Sequence, residues 1–164
     1  AMVGARKSHV TVAGNLFAAL RTHLRGSPCR AYISDMKLRV AAANAVFYPD
    51  VMVTCDARDH AAERYLEHPV LIAEVLSDST AAYDRGVKFA AYRQLESLRE
   101  YVIIDIEARR VESFRRASAT ERWVLYEFSG DETCDFGAIE VTMPIAAVFE
   151  DVPEDSGDDD IAAT

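Results

Sequence analysis

The hydrophobic positions of this chain change period several times, and each change marks an element. Between residues 8 and 25, Val12, Ala13, Leu16, Leu20 and Leu24 recur at helical spacing. Ser8 is placed to cap that helix and Gly26 to stop it. Residues 30–34 and 36–40 read as two short strands about Asp35, and residues 45–54 as a third, in which Pro49 implies an edge or a bend. Residues 55–68 are polar and loop-like. Residues 70–76 form a nearly continuous apolar run, the pattern of a strand covered on both faces. Ser77-Asp78-Ser79-Thr80 then supplies turn and capping chemistry ahead of a helix reaching about Leu95. Residues 101–106 make another apolar strand. Residues 110–116 and 121–128 pair as a hairpin, and Pro144 opens a short last helix through Val148. The order predicts an α/β (α+β) fold: one mixed sheet flanked by helices, plus a C-terminal hairpin.

Two of these strand-like runs each carry a carboxylate where an apolar residue would be expected. Asp50 stands in Tyr48-Pro49-Asp50-Val51-Met52-Val53, and Glu74 in Leu71-Ile72-Ala73-Glu74-Val75-Leu76. Desolvating a lone carboxylate costs several kcal/mol unless something compensates it. Two of them in neighbouring strands suggest a shared partner, and a divalent cation suits two hard oxygen ligands. In the following helix Asp84, Lys88 and Tyr92 are spaced four apart and share a face, while Tyr83, Val87 and Ala90 are placed to pack inward. By spacing alone, Asp84 and Lys88 make a surface ion pair contributing about 0.3–0.5 kcal/mol. The helix nevertheless begins just past the end of the Glu74 strand, within reach of the acids. An acid–acid–lysine trio would bind Mg²⁺ or Mn²⁺ through Asp50 and Glu74. Lys88 would orient a water or balance charge on a phosphate, with Tyr92 in support.

Composition narrows the setting. The 164 residues fit one domain, residues 1–149, and half of them are apolar. No run of about eighteen apolar residues and no signal-peptide pattern is present, so the reading is a cytoplasmic protein without a membrane partner. Cys29, Cys55 and Cys134 lie far apart and form no CxxC pair, so the expectation is three reduced, buried thiols. The formal charge of −9 is concentrated in residues 150–164, where Glu150, Asp151, Glu154, Asp155, Asp158, Asp159 and Asp160 face no base. That tail reads as disordered, and the body is close to neutral. No P-loop, GxGxxG, GxSxG or zinc-knuckle spacing occurs.

The segments YPDVMVTCD (48–56), HPVLIAEVLSDST (68–80), YDRGVKFAAYRQL (83–95) and EYVIIDIEARRVESFRR (100–116) resemble the Uma-two family of restriction endonucleases, within the PD-(D/E)XK nuclease superfamily. The resemblance runs from about Ser8 to Phe149. It implies a restriction-endonuclease-like core, a mixed sheet between helices with a metal site at one end. It implies that Asp50, Glu74 and Lys88 are catalytic, and that Asp50, Glu74 and the Val75 backbone carbonyl hold the metal. Tyr92, Asp84, Ser77 and His9 would support them, with DNA as substrate and a homodimer as the working form. The chain departs from the superfamily pattern in having Leu76 two residues after the glutamate where a lysine is usual. The resemblance implies that the lysine has moved to the next helix. Relatives usually begin with a strand-turn segment carrying a glutamate and a glycine; its apparent absence here predicts a weaker site or an exposed sheet edge.

Other candidates have plainer readings. His9 and His23 share the first helix but stand roughly 21 Å apart, too far to share a metal. His60 and His68 lack ligand spacing. The doublets Arg109-Arg110 and Arg115-Arg116 read as a solvated hairpin face, with phosphate contacts the sharper alternative. Trp123 and Tyr126 read as core or interface residues. A near-neutral body leaves two rivals to a DNA nuclease: a catalytically inactive binding or assembly protein, and a phosphoesterase acting on small nucleotides.

Overall fold

The computed structural model describes residues 4–154. Its first helix, α1 (Lys7–His23), buries Val12, Ala13, Leu16 and Leu20, the stripe that the spacing requires. Ser8 does not cap it: Arg6 holds the N-cap position, with no side-chain cap bond. Gly26 follows the helix with a positive φ of 78°, a conformation that costs glycine nothing.

Six strands form the main sheet, in the order β1-β4-β5-β6-β7-β8. They are β1 (Arg30–Ile33), β4 (Val51–Thr54), β5 (Pro69–Val75), β6 (Glu100–Asp105), β7 (Arg110–Arg115) and β8 (Val124–Ser129). Only β5 and β6 run parallel. The other neighbours are antiparallel, and β7 and β8 form the expected hairpin. Two small hairpins lie outside this sheet: β2 (Leu38–Val40) with β3 (Ala45–Phe47), and β9 (Thr133–Phe136) with β10 (Val141–Pro144). The structure thus corrects two readings. The two strands about Asp35, which has a φ of 79°, are shorter than read and belong to different sheets. Residues 45–54 are two strands, broken around the buried Pro49, which has no N–H for a ladder.

Both faces of the central strands are covered. Val51, Val53, Leu71, Ala73, Val75, Val102, Ile104 and Val111 pack with α1 and with the last helix, α5 (Ile145–Val148). Met52, Ile72, Tyr101 and Ile103 pack on the other side with Leu38, Phe47, Ala91, Tyr92 and Leu98. This double burial explains why β5 reads as an unbroken apolar run: alternate residues serve different cores.

The segment read as a loop contains a short helix, α2 (Ala57–Ala61). Asp56 caps it by accepting from the Arg58 N–H. Asp59, in that helix, is buried and accepts from Thr54 Oγ1 (2.7 Å) and from the main-chain N–H groups of Glu67 and His68 (each 3.0 Å). It fastens the connection into β5.

Two further expectations are corrected. Cys29 and Cys55 are joined as a disulfide, and only Cys134 is a buried free thiol. The two half-cystines flank the Arg30–Thr54 pair of β1 and β4, so cross-strand pairing brings together cysteines far apart in sequence. The packed body also continues past residue 149. Val152 is buried, its carbonyl accepts from Arg109 Nη1 (2.9 Å), and Asn15 Nδ2 donates to the carbonyls of Val148 and Glu150. Residues 155–164 of the acidic tail lie outside the described residues. No helix among the described residues is long and apolar enough to cross a membrane.

Candidate active site

Strand pairing brings the two acids together. Val51 of β4 pairs with Ala73 of β5, so Asp50 falls beside Glu74 one step further along the antiparallel ladder. Asp50 Oδ2 accepts the Val75 N–H at 2.8 Å, which holds the aspartate beside the Glu74 strand. Glu74 shares a face with Ile72, opposite to that of Ala73 and Val75. It therefore points toward the helical segment that follows β5 and is almost wholly buried.

That segment consists of α3 (Ala81–Tyr83), a π-helical turn (Asp84–Lys88) and α4 (Phe89–Tyr92). It presents Asp84, Lys88 and Tyr92 to the acids. Tyr92 Oη donates to Glu74 Oε1 at 2.8 Å, and Lys88 Nζ lies 3.3 Å from the same oxygen. Lys88 Nζ is also 2.9 Å from Asp84 Oδ1. Both carboxylates are buried, so this is not the surface pair that spacing alone implies. Tyr83, Val87 and Ala90 point to solvent, against expectation. Polar residues take the inward face because Glu74 must be satisfied there. A π-turn adds a residue to the helical turn and is a common device at functional sites.

A chain of hydroxyls braces Asp84. Ser77 Oγ and Thr80 Oγ1 are 2.8 Å apart, and Thr80 Oγ1 donates to Asp84 Oδ2 at 2.9 Å. Tyr101 Oη donates to the Asp84 carbonyl at 2.8 Å. Thr80 and Tyr101 escape a reading based on isolated motifs. Their signal is weak: a hydroxyl four residues before an acid, and a tyrosine ahead of the aliphatic run of residues 102–104. His9 arrives from the first turn of α1, with Nε2 3.3 Å from Asp50 Oδ2. His23 instead contacts the Ala19 carbonyl and His60 that of Pro28.

Electrostatics follow from this geometry. Burial, and then the negative charge of Asp50, push the Glu74 carboxyl up to about 8, against the pull of Lys88 and the Tyr92 hydroxyl. Burial would raise Asp50 too, but the His9 ring outweighs it and holds Asp50 below its ordinary range. His9 is raised in turn, chiefly by its bond to Asp50, with the Val75 main chain adding to the effect. Lys88 is raised because the attraction of Glu74 and Asp84 exceeds the penalty of burial.

Such a centre fits a divalent cation. Burial, and then the facing charge of Asp50, make Glu74 difficult to ionise, and a dication would relieve that conflict. The two carboxylates are hard oxygen donors. Among the described residues no group of three or more His, Cys, Asp or Glu is arranged to hold a metal. The donor set thus suits an ion such as Mg²⁺, which takes one or two carboxylates and leaves its other positions to water and substrate phosphate.

The arginine doublets do different work from that expected. Arg116 donates to the carbonyls of Leu95, Leu98 and Ala119, and Arg115 pairs with Glu100 and Asp135. Arg110 lies 3.5 Å from Glu112 and Arg109 binds the Val152 carbonyl. All four are committed to the fold. Trp123 is half-buried, packed between Phe89 and Arg116, while Tyr126 is largely exposed.

Sheet, flanking helices and a carboxylate pair beside a lysine define a restriction-endonuclease-like α+β protein. The chain belongs to the family described as "Uma2: Putative restriction endonuclease", which matches residues 1–142. It is 34% identical over 132 residues to the uncharacterized protein sll1609 of Synechocystis sp., covering 79% of this chain and 74% of that one. To slr1290 of the same organism it is 28% identical over 149 residues, covering 91% and 78%. Its fold resembles the crystal structure of "a putative nuclease belonging to DUF820" from Anabaena variabilis. That likeness has a TM-score of 0.73 at 13% identity and covers 90% of this chain and 83% of the other.

Proposed function

We propose that the protein is a metal-dependent endonuclease that hydrolyses DNA phosphodiester bonds with a water nucleophile. One observation carries the reading: Lys88 and Tyr92 converge on the carboxyl of Glu74, and the β4–β5 register sets Asp50 beside it. Asp50, Glu74 and the Val75 carbonyl would hold Mg²⁺ or Mn²⁺. When bound, the ion polarises a phosphoryl oxygen and makes a water more acidic. Lys88 orients the attacking water or balances charge growing on the phosphate. Tyr92 fixes the direction of Glu74. Asp84, braced through Thr80 and Ser77, fixes that of Lys88. His9 keeps Asp50 ionised.

DNA as substrate is supported by family membership and by positive charge outside the acid cluster. Arg21, Arg25 and Arg30 line a cleft of about 450 Å³ beyond the other end of α1. A homodimer is supported by β8. It is an edge strand with exposed Val124, Leu125 and Tyr126, carries no lysine or proline, and is open to pairing with a second copy.

The test is incubation with supercoiled plasmid and with single-stranded DNA in Mg²⁺ or Mn²⁺. The parent protein cuts, whereas Glu74→Gln and Lys88→Ala lose at least 100-fold in rate, on the order of one lost electrostatic contact. Equal cutting by all three would place the chemistry elsewhere. No cutting by the parent would favour a non-catalytic binding protein on the same fold. That second reading draws support from the cations near the acids, since Arg6, Arg85 and Lys88 are each paired with a carboxylate.

A further inference from the structure

The surroundings of the acid cluster combine scarce free positive charge with exposed aromatic surface. Arg6 pairs with Asp78 at 3.2 Å, Arg85 with the buried Glu112 at 2.6 Å, and Lys88 with Asp84. Duplex DNA is bound mainly by neutralising phosphates, and cations already held by carboxylates serve that poorly. Two tyrosines next to the cluster behave differently from the rest of the core. The ring of Tyr83 is 44% exposed, and its centroid lies 5.6 Å from Lys88 Nζ. Tyr48, two residues ahead of Asp50 and separated from it by the buried Pro49, is 55% exposed.

A hydrophobic ring left in water next to catalytic groups needs a reason. Tyr92 and Tyr101, the other two tyrosines close to these acids, are fully buried with their hydroxyls bonded. Tyr83 ends α3, on the Lys88 side of the cluster, and Tyr48 lies in the connection between β3 and β4, on the Asp50 side. A nucleic acid whose bases are stacked inside a duplex offers such rings nothing. A strand whose bases are free offers a π-face at every nucleotide.

We infer that the preferred ligand of this site is unpaired nucleic acid, a single strand or a splayed duplex end, with Tyr83 and Tyr48 stacking on bases that flank the phosphate presented to the acid cluster. The inference rests on the nuclease reading above and adds to it the class of substrate. Stacking supplies here the affinity that charge does not. It acts without regard to base identity, so the site would select strandedness rather than sequence.

The test measures binding rather than cutting. Fluorescence anisotropy follows the whole protein with labelled oligothymidylate and with a duplex of equal length, in Ca²⁺, between about 50 and 200 mM salt. The single strand binds more tightly and with the shallower salt dependence. Tyr83→Ala and Tyr48→Ala each weaken it by roughly 5- to 100-fold, whereas Tyr83→Phe and Tyr48→Phe, which keep the ring, bind as the parent does. Thermal melts check that these exposed substitutions leave the fold intact. Preference for the duplex, or unchanged binding by the alanine variants, overturns the inference and leaves the nuclease reading standing. Failure to bind either oligonucleotide overturns both.

Discussion

Tyr92 donates its hydroxyl to Glu74 Oε1 at 2.8 Å across the interface between α4 and β5. Burial and the facing carboxylate push the Tyr92 hydroxyl well above its ordinary range, so it remains a donor at any working pH. Glu74 is thereby held in one direction by a group that never becomes an acceptor. Tyr92→Phe keeps the ring packed against Phe47 and Tyr101 while removing this bond. The variant should unfold about 1–3 kcal/mol more easily in urea, the cost of an unsatisfied buried acceptor. Its cleavage rate should fall less than that of Glu74→Gln.

Lys88 sits between two buried carboxylates, so its structural and chemical roles can be separated. Lys88→Ala removes the cation they share and should cost about 3–5 kcal/mol in denaturant unfolding. Adding Asp84→Asn to the same chain removes one of the stranded charges and should restore part of that stability. It should restore no DNA cleavage. Recovery of cleavage in the double variant would mean that Lys88 serves only to neutralise its neighbours.

The raised carboxyl of Glu74 has a definite sign in the pH dependence of stability. Its folded value of about 8 exceeds the ordinary 4.5, so the folded chain binds a proton that the unfolded chain releases. Stability therefore falls as pH rises between those values. His9, also raised, contributes fully below its ordinary 6.5, and that contribution is lost as pH climbs through its folded value. Asp50, lowered, acts in the opposite direction: its contribution is present above its ordinary 3.8 and is lost only under stronger acid. In EDTA the melting midpoint should decline from about pH 5 to 8, and Glu74→Gln should flatten the decline. Calorimetric titration with Mg²⁺ should show affinity rising over the same window, because binding needs the ionised carboxylate.

The disulfide between Cys29 and Cys55 closes a loop across β1 and β4, between residues 26 positions apart. Chain-entropy arguments assign a loop of that size about 3–4 kcal/mol. Reduction, or Cys29→Ser with Cys55→Ser, should lower stability by up to this amount in urea titrations. Since β4 begins next to Asp50, cleavage at elevated temperature should fall together with stability. Cys134 should resist alkylation in the native protein, because it is buried and its thiol is pushed up to about 12.

The central architecture could be read from the chain because its signals are local. The apolar runs containing Glu74 and Tyr101, the helical stripe of Leu16 and Leu20, and Pro144 ahead of α5 each declare an element without help from distant residues. Asp50 and Glu74 stood out because charge is costly where they lie. What escaped depends on contacts distant in sequence. The β9–β10 hairpin is short, and its outward Asp135 disguises the inward Cys134 and Phe136. The inward turn of Asp84 and Lys88 has no periodic signature distinct from a surface pair, and only the neighbouring Glu74 decides it. Arg115 and Arg116 look like part of a solvated hairpin face until Glu100 and three main-chain carbonyls are found beside them. Cysteines are equally mute until the strands are aligned.

The antiparallel alignment of β4 with β5 has a consequence for how this centre can change by mutation. Asp50 faces Glu74 because each residue from Val51 to Val53 is matched one for one with Ala73 to Leu71. An inserted or deleted codon within that stretch would turn the aspartate away from Glu74, since neighbouring positions alternate faces. The existing irregularity lies between Val53 and Thr54, at the far end of the strand, where it disturbs no functional group. Length variation among descendants of this gene should therefore gather beyond Thr54, leaving the three residues after Asp50 open to exchange but closed to gain or loss.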